Sequence, residues 1–374
     1  MVMPNAMQLR TSICGSIESR NREKDMTQKK SKQIIRILLF LGTIISMFYV
    51  PWPIVIAWIK PLPDTIQIQV DQAADYGFDG IVVCVNSPGN KCRFYTSGYK
   101  NRENKIPADP NALFKIASVG KLYQALAVAK LVRDETLSLD KTLADYLPEL
   151  VGRIEYADQI TLRMLVKHRS GIPNFTDTYM YWAAPKETED EQLALILDQS
   201  ADFKPDARYA YSNTNYLLLG KIMDRVLGYN HGQYIQQAIN HPLGLMHTFG
   251  SLDEVQMDDV MSGYYVGYDS DLKTAHAGSM LATAEDLSKF IRALNDGSVF
   301  RDQKEQEIYA SIYEFGHTGL IPGYQTIARY HHNLDVVVVQ FTNTVNFEGY
   351  QWNLSEIMYN RIVKLLRKQK QAGN

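Results

Sequence analysis

The β-type segments of this chain lie near its two ends, and its helical segments lie between them. Residues 80–86 and 91–99 alternate apolar and polar side chains well enough to predict two paired antiparallel strands. Residues 325–330 and 334–342 are again strand-like, and the run VVVVQF is typical of a central strand. This order of segments predicts an α/β fold in which one mixed sheet carries a helical insertion.

Apolar side chains at helical spacing mark the helices. Thr283 is a typical N-cap, with Glu285 and Asp286 in the first turn of the helix that it opens at 283–294. A second clear helix is predicted to begin at Ser118 and to end near residue 133. Further helices are predicted at 65–76, 143–147, 160–167, 187–200, 216–227, 233–239 and 353–368.

An uncharged apolar stretch occupies residues 37–59, between Arg36 and Lys60. About 20 apolar residues suffice for a helix to cross a bilayer, and basic residues before the stretch keep the N-terminus in the cytoplasm. We therefore predict a transmembrane signal-anchor over residues 34–60, with the catalytic domain on the extracytoplasmic side (periplasmic or extracellular). Pro51 and Pro53 allow a kink in it.

A cleaved signal peptide is the alternative interpretation of the same stretch, although no small-x-small cleavage pattern follows the apolar core.

Residues 1–33 are basic and are predicted to be disordered. Met26, followed by a basic leader, is a better start for an exported protein than Met1. We therefore hypothesise that translation begins at Met26.

The charge of the chain is unevenly spread. Residues 1–36 hold eight basic and three acidic side chains, whereas the formal net charge of the whole chain is -2. The remainder is therefore net acidic, which argues against nucleic-acid binding because phosphate contacts need a basic surface. No Cys/His grouping has metal-ligand spacing, so no metal site is predicted.

Two of the three cysteines, Cys84 and Cys92, flank the turn-forming residues 87–90. In an exported domain a disulfide across this hairpin is plausible. Two unlinked thiols on neighbouring strands fit the sequence equally well.

Ser118 and Lys121 lie three residues apart at the start of a predicted helix. Residues at this spacing share one helix face, so the ammonium group can lie beside the hydroxyl group. The helix N-terminus also favours a developing anion, and this combination can activate serine as a nucleophile without histidine. The structural alternative is that Ser118 is simply an N-cap.

Two further triplets can complete a site around Ser118. Tyr211 and Asn213 lie in a loop before a predicted helix; a phenol whose pKa a nearby lysine lowers can act as a base toward serine. His317, Thr318 and Gly319 begin the last strand pair, where a backbone N–H on the strand edge can stabilise an oxyanion. Each triplet alone is weak evidence, because buried tyrosines and histidines are commonly structural.

In this order and spacing, the three triplets resemble the serine β-lactamase and penicillin-binding-protein superfamily. The similarity is greatest to its class C β-lactamase-like branch, which includes D-alanyl-D-alanine peptidases, D-aminopeptidases and esterases. It extends over about residues 65–365. Further similar phrases, in the family's order, are FKIAS at 114–118, LSLD at 137–140, ITLRML at 160–165, HRSG at 168–171, PLGL at 242–245 and ATAEDL at 282–287.

The resemblance implies a β-lactamase-like domain over residues 64–370, with an antiparallel sheet flanked by helices and an inserted all-helical region at about 135–280. It implies Ser118 as the acylated nucleophile, Lys121 as its proton partner and Tyr211 as the general base. Asn213, His317, Thr318 and Gly319 would bind or support the substrate. The oxyanion hole would consist of the backbone N–H groups of Ser118 and Leu320, and no cofactor is implied.

Two departures from the family pattern are present, of which the first bears on the substrate and the second on the shape of a loop. His317 replaces a lysine that many β-lactamases use for a substrate carboxylate, and Pro205–Asp206 stands where Pro–Gly is common. We therefore expect a membrane-anchored serine hydrolase of peptidoglycan-like D-peptides, small esters or amides, with β-lactams turned over more slowly. The alternatives are a penicillin sensor that is acylated without turnover, or a pseudoenzyme.

Overall fold

The computed structural model describes residues 6–186, 188–276 and 278–372. The chain divides into two compact units, Met1–Ile59 and Lys60–Asn374. The helices are α1 (Ala6–Met47), α2 (Trp52–Ile59), α3 (Ile66–Asp71), α4 (Gly120–Arg133), α5 (Leu143–Tyr146), α6 (Leu162–Val166), α7 (Glu189–Ala194), α8 (Asn213–Leu227), α9 (His231–Ile235), α10 (Ala284–Asp296), α11 (Gln303–Ile312) and α12 (Gln351–Ala372).

The strands are short at the rim of the fold and long at its centre. In chain order they are β1 (Gly80–Asn86), β2 (Arg93–Asn101), β3 (Ile106–Pro107), β4 (Phe114–Lys115), β5 (Thr248–Phe249), β6 (Tyr264–Tyr265), β7 (Leu281–Ala282), β8 (His317–Ile321), β9 (Tyr324–His331), β10 (Val336–Thr342) and β11 (Thr344–Val345).

The first unit consists of α1 and α2. The predicted disordered head is instead helical from Ala6 onward, and residues 1–5 lie outside the described part of the chain. Strong helix formers and the i,i+4 pair Asp25–Lys29, at 2.8 Å, favour this helix. Among the described residues no single helix is both long and apolar enough to cross a membrane. The pair Gln28–Met47 and Trp52–Ile59, bent by 84° at a break before Trp52, meets the criteria of length and composition together.

The second unit is built on a six-stranded sheet in the order β3-β2-β1-β10-β9-β8, in which all the pairs are antiparallel. The predicted hairpin and the predicted central strands are thus present, and strands from both ends of the chain join where β1 pairs with β10. Both of these strands are buried along their whole length. Helices α10 and α12 pack on the sheet.

The inserted region at about 135–280 is predominantly helical, but not wholly so. It contributes β5 to a small sheet with β4 and β7, and β6 to a parallel pair with β11. Two-residue strands are too short for an alternating pattern, which explains why the sequence did not predict them. Helix α11 was also not predicted; Asp302 is its N-cap and accepts a hydrogen bond from the N–H of Glu305 at 2.9 Å.

The cysteines of the hairpin are joined, since Cys84 and Cys92 form a disulfide. This decides between the two alternatives that the sequence left open. Cys84 is a fully buried residue of β1, and Cys92 immediately precedes β2, so the bond closes the hairpin over the turn.

Candidate active site

Ser118 lies in a single 3₁₀ turn that leads directly into α4. The residue before it, Ala117, has a φ of 49°, a left-handed conformation that is uncommon for a side chain other than glycine. The N–H of Ala117 donates to Ser279 Oγ at 3.2 Å. A strained residue that surrounding contacts hold in place is typical of functional sites.

Strand β8 lies directly against this turn. A Cβ atom built at Gly319 would be only 2.2 Å from the carbonyl oxygen of Ile116. Only glycine therefore permits this approach of the strand to the serine turn.

Three predicted side chains gather beside Ser118: Tyr211 and Lys121 contact its hydroxyl group, and Asn213 contacts Lys121. Tyr211 Oη donates to Ser118 Oγ at 2.8 Å, and Lys121 Nζ lies 3.4 Å from the same oxygen. Lys121 Nζ also donates to Asn213 Oδ1 at 2.9 Å. The ammonium group is 5.1 Å from the ring centre of Tyr211, within the range of a cation–π contact.

Asn213 occupies the first position of α8, three residues earlier than the predicted start of that helix. Its Nδ2 donates to Thr176 Oγ1 at 3.0 Å, and its backbone N–H donates to Asn174 Oδ1 at 2.9 Å. Because its amide nitrogen is held by Thr176, the side-chain oxygen of Asn213 is directed at Lys121.

His168 packs beneath the site. Its ring stacks on Tyr211 with centres 4.4 Å apart and lies 5.1 Å from the ring of Tyr216. Nδ1 accepts from the N–H of Ser212 at 3.2 Å, and Nε2 has no hydrogen-bond partner among the described residues. Burial, reinforced by the Lys121 cation, lowers the pKa of His168 to about 3, so the ring is neutral at physiological pH.

His317 begins β8 and lines the same cavity. Burial lowers its pKa to about 4, although Nδ1 contacts the carbonyl oxygen of Thr318. The ring lies parallel to that of Tyr313, with centres 5.9 Å apart. At neutral pH His317 is therefore an uncharged group at the position where the family resemblance would place a lysine.

The remaining predicted positions lie along the same strand. Thr318 and Leu320 line the cavity, and β8 is the edge strand of the six-stranded sheet. Alternate N–H groups of an edge strand point away from its partner strand, as an oxyanion hole requires. The assignment of the N–H groups of Ser118 and Leu320 to that hole stays a prediction.

The cavity that contains these groups has a volume of about 2160 Å³. Aromatic rings from three loops meet over it: Trp182 lies 5.3 Å from His276 and 5.6 Å from Phe347, between ring centres. Within the described residues, no group of three or more His, Cys, Asp or Glu side chains is arranged to hold a metal ion.

Comparison with known proteins identifies the family. A sequence profile described as Beta-lactamase matches residues 57–313, which is well over half of the chain. The chain belongs to the β-lactamase family. The membership confirms the predicted serine β-lactamase and penicillin-binding-protein resemblance, and with it the serine-hydrolase class of this domain.

Curated members of this superfamily are similar over part of their length. Protein flp of Staphylococcus aureus (strain COL) is 29% identical over 154 residues, which cover 40% of this chain and 30% of flp. Penicillin-binding protein 4* of Bacillus subtilis (strain 168) is 26% identical over 175 residues, covering 46% of this chain and 38% of that protein. The chain thus spans about a third of the length of these relatives.

A solved structure supports the fold over a larger part of the chain. The D-amino acid amidase from Ochrobactrum anthropi SV3, complexed with L-phenylalanine amide, superposes with a TM-score of 0.72 and 23% identity. The superposition covers 82% of this chain and 98% of the amidase. It confirms the predicted α/β class with an antiparallel sheet flanked by helices.

Two residues of this β-lactamase-family site, His168 and Thr176, had no predicted role, and neither had Asp206, which lies outside the cavity lining. His168 was noted only within the phrase HRSG, and Thr176 lay in a loop that the sequence could not place. Asp206, where the family often has glycine, has a φ of 63°, so it adopts the left-handed conformation that glycine would favour. Because the family often has glycine at the position of Asp206, the sequence already indicated that this residue adopts a left-handed conformation.

Proposed function

We propose that this β-lactamase-family protein is a serine hydrolase that works through an acyl-enzyme on Ser118. The observation that carries the proposal is the hydrogen bond of 2.8 Å between Tyr211 Oη and Ser118 Oγ, beside the Lys121 ammonium group. Few purely structural arrangements would gather a serine, a phenol and a cation at the mouth of a large cavity.

The chemistry follows from these contacts. In the reactive form Tyr211 is a phenolate that the nearby Lys121 cation stabilises. Ser118 Oγ attacks the substrate carbonyl carbon, and its proton passes to the phenolate oxygen, which leaves Tyr211 as a neutral phenol. The negative charge on the carbonyl oxygen is stabilised by the N–H groups of Ser118 and Leu320. Tyr211 returns the proton to the leaving amine or alcohol, and water then attacks the ester by the reverse sequence.

The substrates we propose are D-amino-acid peptides and small amides or esters, with β-lactams as poorer substrates. A neutral His317 cannot form the ion pair with a substrate carboxylate that lysine would offer. The similarity to a D-amino acid amidase and to penicillin-binding protein 4* supports the same classes.

We further propose that residues 34–60 anchor the protein in the cytoplasmic membrane, with the domain on the outer side. Support comes from the apolar composition of the bent helix pair Gln28–Met47 and Trp52–Ile59 and from the Cys84–Cys92 disulfide, which is typical of oxidising compartments. Detection of the full chain in the soluble fraction of lysed cells, with none in the membranes, would refute the anchor.

The enzymatic proposal is tested with residues 61–374, a chromogenic ester, a D-alanyl-D-alanine peptide and a fluorescent penicillin. We expect turnover of the ester and the peptide, with an acyl adduct on Ser118 detectable by mass spectrometry. Turnover that persists unchanged in Ser118→Ala would refute the mechanism. A stable penicillin adduct without turnover of any substrate would show a sensor instead.

A further inference from the structure

The cavity does not end at the reacting groups. Gln124 lies one helical turn beyond Lys121 on the same face of α4, and the cavity continues past it to α7 and α9. We call this extension the polar compartment and define it by its lining side chains. The Glu189 carboxyl group lines the same part of the cavity. The five polar side chains that define the compartment here are Gln124, Gln192, His231, Gln236 and Asn240.

Neighbouring groups hold the compartment's side chains in place. His231 Nδ1 pairs with Asp224 Oδ1 at 2.8 Å, so its Nε2 faces Gln124 Nε2, 3.4 Å away. Gln236 Nε2 donates to the carbonyl oxygen of Thr248 at 2.8 Å. A set of polar groups fixed in this way is pre-organised for hydrogen bonding and loses little entropy on binding.

One acceptor in the compartment has no partner. Asn240 is fully buried, and its Nδ2 lies 3.4 Å from the carbonyl oxygen of Thr248, but its Oδ1 has no hydrogen bond among the described residues. A buried acceptor without a partner destabilises a fold unless something that binds there satisfies it. A donor on a molecule bound in the compartment would satisfy this oxygen.

We propose that the polar compartment binds the main chain of an extended peptide, on the part of the substrate remote from the scissile bond. Amide side chains present both donors and acceptors, which match the N–H and C=O groups of a peptide. This inference rests on the proposed function, because it assigns the substrate of the Ser118 site. It predicts that long peptides are better substrates than short ones with the same scissile bond.

The test uses acetyl-D-Ala-D-Ala and a peptide lengthened by three residues on its N-terminal side. In the wild-type protein we expect kcat/KM to be at least tenfold higher for the long peptide. In Gln124→Leu the ratio of long to short should fall about tenfold, mainly through KM, since two or three hydrogen bonds are disturbed. Gln303→Leu, which removes an exposed amide on α11 outside the cavity, should leave the ratio unchanged.

Binding is measured separately from turnover by titrating both peptides into the Ser118→Ala protein, and again with Gln192→Leu added. Tighter binding of the long peptide that weakens in the double variant supports the compartment even if the wild-type protein shows no hydrolysis. Equal kcat/KM for the two peptides, equal affinities, or a Gln124→Leu effect on both peptides alike would overturn the inference.

Discussion

The close approach of Gly319 to the serine turn makes a sharp prediction for Gly319→Ala. The new methyl group would lie 2.2 Å from the carbonyl oxygen of Ile116, a backbone atom that cannot rotate away. Restoring ordinary van der Waals contact requires β8 and the turn to separate by about 1 Å. A misplacement of about 1 Å at reacting groups costs about 10²-fold in rate.

The displacement also affects stability. Overpacking of a well-packed region costs about 1–3 kcal/mol, so we expect a lower urea midpoint with the same m-value. The rate loss should exceed what partial unfolding explains, because at 25 °C the folded fraction of a domain with ordinary stability stays close to one after such a loss.

Gly120→Ala is the matched control for this prediction. It adds the same methyl group two residues after Ser118, but the nearest atom is the flexible Met280 Sδ at 3.2 Å. Gly120 is the first residue of α4 and has a helical φ of -55°, so alanine fits its backbone conformation without strain. We expect near-normal esterase activity and equal or higher stability.

The assay compares kcat/KM for a chromogenic ester with the urea unfolding curve of each variant. If Gly319→Ala retains activity within about twofold of the wild-type protein, β8 does not need this proximity and the proposed oxyanion geometry is wrong. Equal losses of activity in both glycine variants would show that the loss does not come from the backbone contact of Gly319.

Three further predictions concern groups around the site. His168→Ala should lower kcat for the ester about tenfold or more at similar KM, because Tyr211 loses the ring on which it stacks. His168→Gln can still accept a hydrogen bond from the N–H of Ser212 and should recover part of the lost kcat. Equal kcat in the wild-type protein and both variants would show that the stack does not position Tyr211. The pKa of His317 falls from 6.5 in the unfolded chain to about 4 in the folded protein, so between these pH values the unfolded chain binds more protons. The contribution of His317 to the free energy of unfolding is therefore complete above pH 6.5 and decreases as the pH falls toward 4. His317→Gln should remove up to about 3 kcal/mol of this decrease in urea titrations, and an unchanged pH dependence would contradict the burial of a neutral ring. Lys130 and Glu305 form a buried ion pair at 2.7 Å, so Glu305→Ala should destabilise the domain by about 3–5 kcal/mol in urea unfolding. Arg133→Ala, which loses the exposed pair with Asp302 and leaves the N-cap of α11 in place, should cost at most about 1 kcal/mol, and equal losses would refute the distinction.

The sequence determined the secondary structure where a hydrophobic pattern or a helix cap lies within one continuous segment. Strand β1 begins and ends where the alternation predicted, and α10 is capped by Thr283 as predicted. The proximity of Ser118 and Lys121 was also predictable, because side chains three positions apart on a helical turn lie on the same face. These features depend on interactions within one segment.

The tertiary structure decided what depends on segments distant in sequence. That Tyr211 reaches Ser118 follows from packing of the inserted helical region, and only the resemblance to a family gave the pair before the fold was known. His168 and Thr176 acquire their positions from loops without periodicity. Helix α1 is a local feature that the prediction missed, because the basic composition of residues 1–33 indicated disorder although the segment contains strong helix formers and the i,i+4 pair Asp25–Lys29.

The surface that faces the substrate is the feature that the sequence alone predicts least well. Gly319 is one letter in a triplet, yet the contact with Ile116 that makes glycine necessary joins residues some two hundred positions apart. The neutral state of His317 likewise comes from burial, which the sequence does not specify. Local interactions fixed which groups can react, and long-range packing fixed where they meet and which of them carry charge.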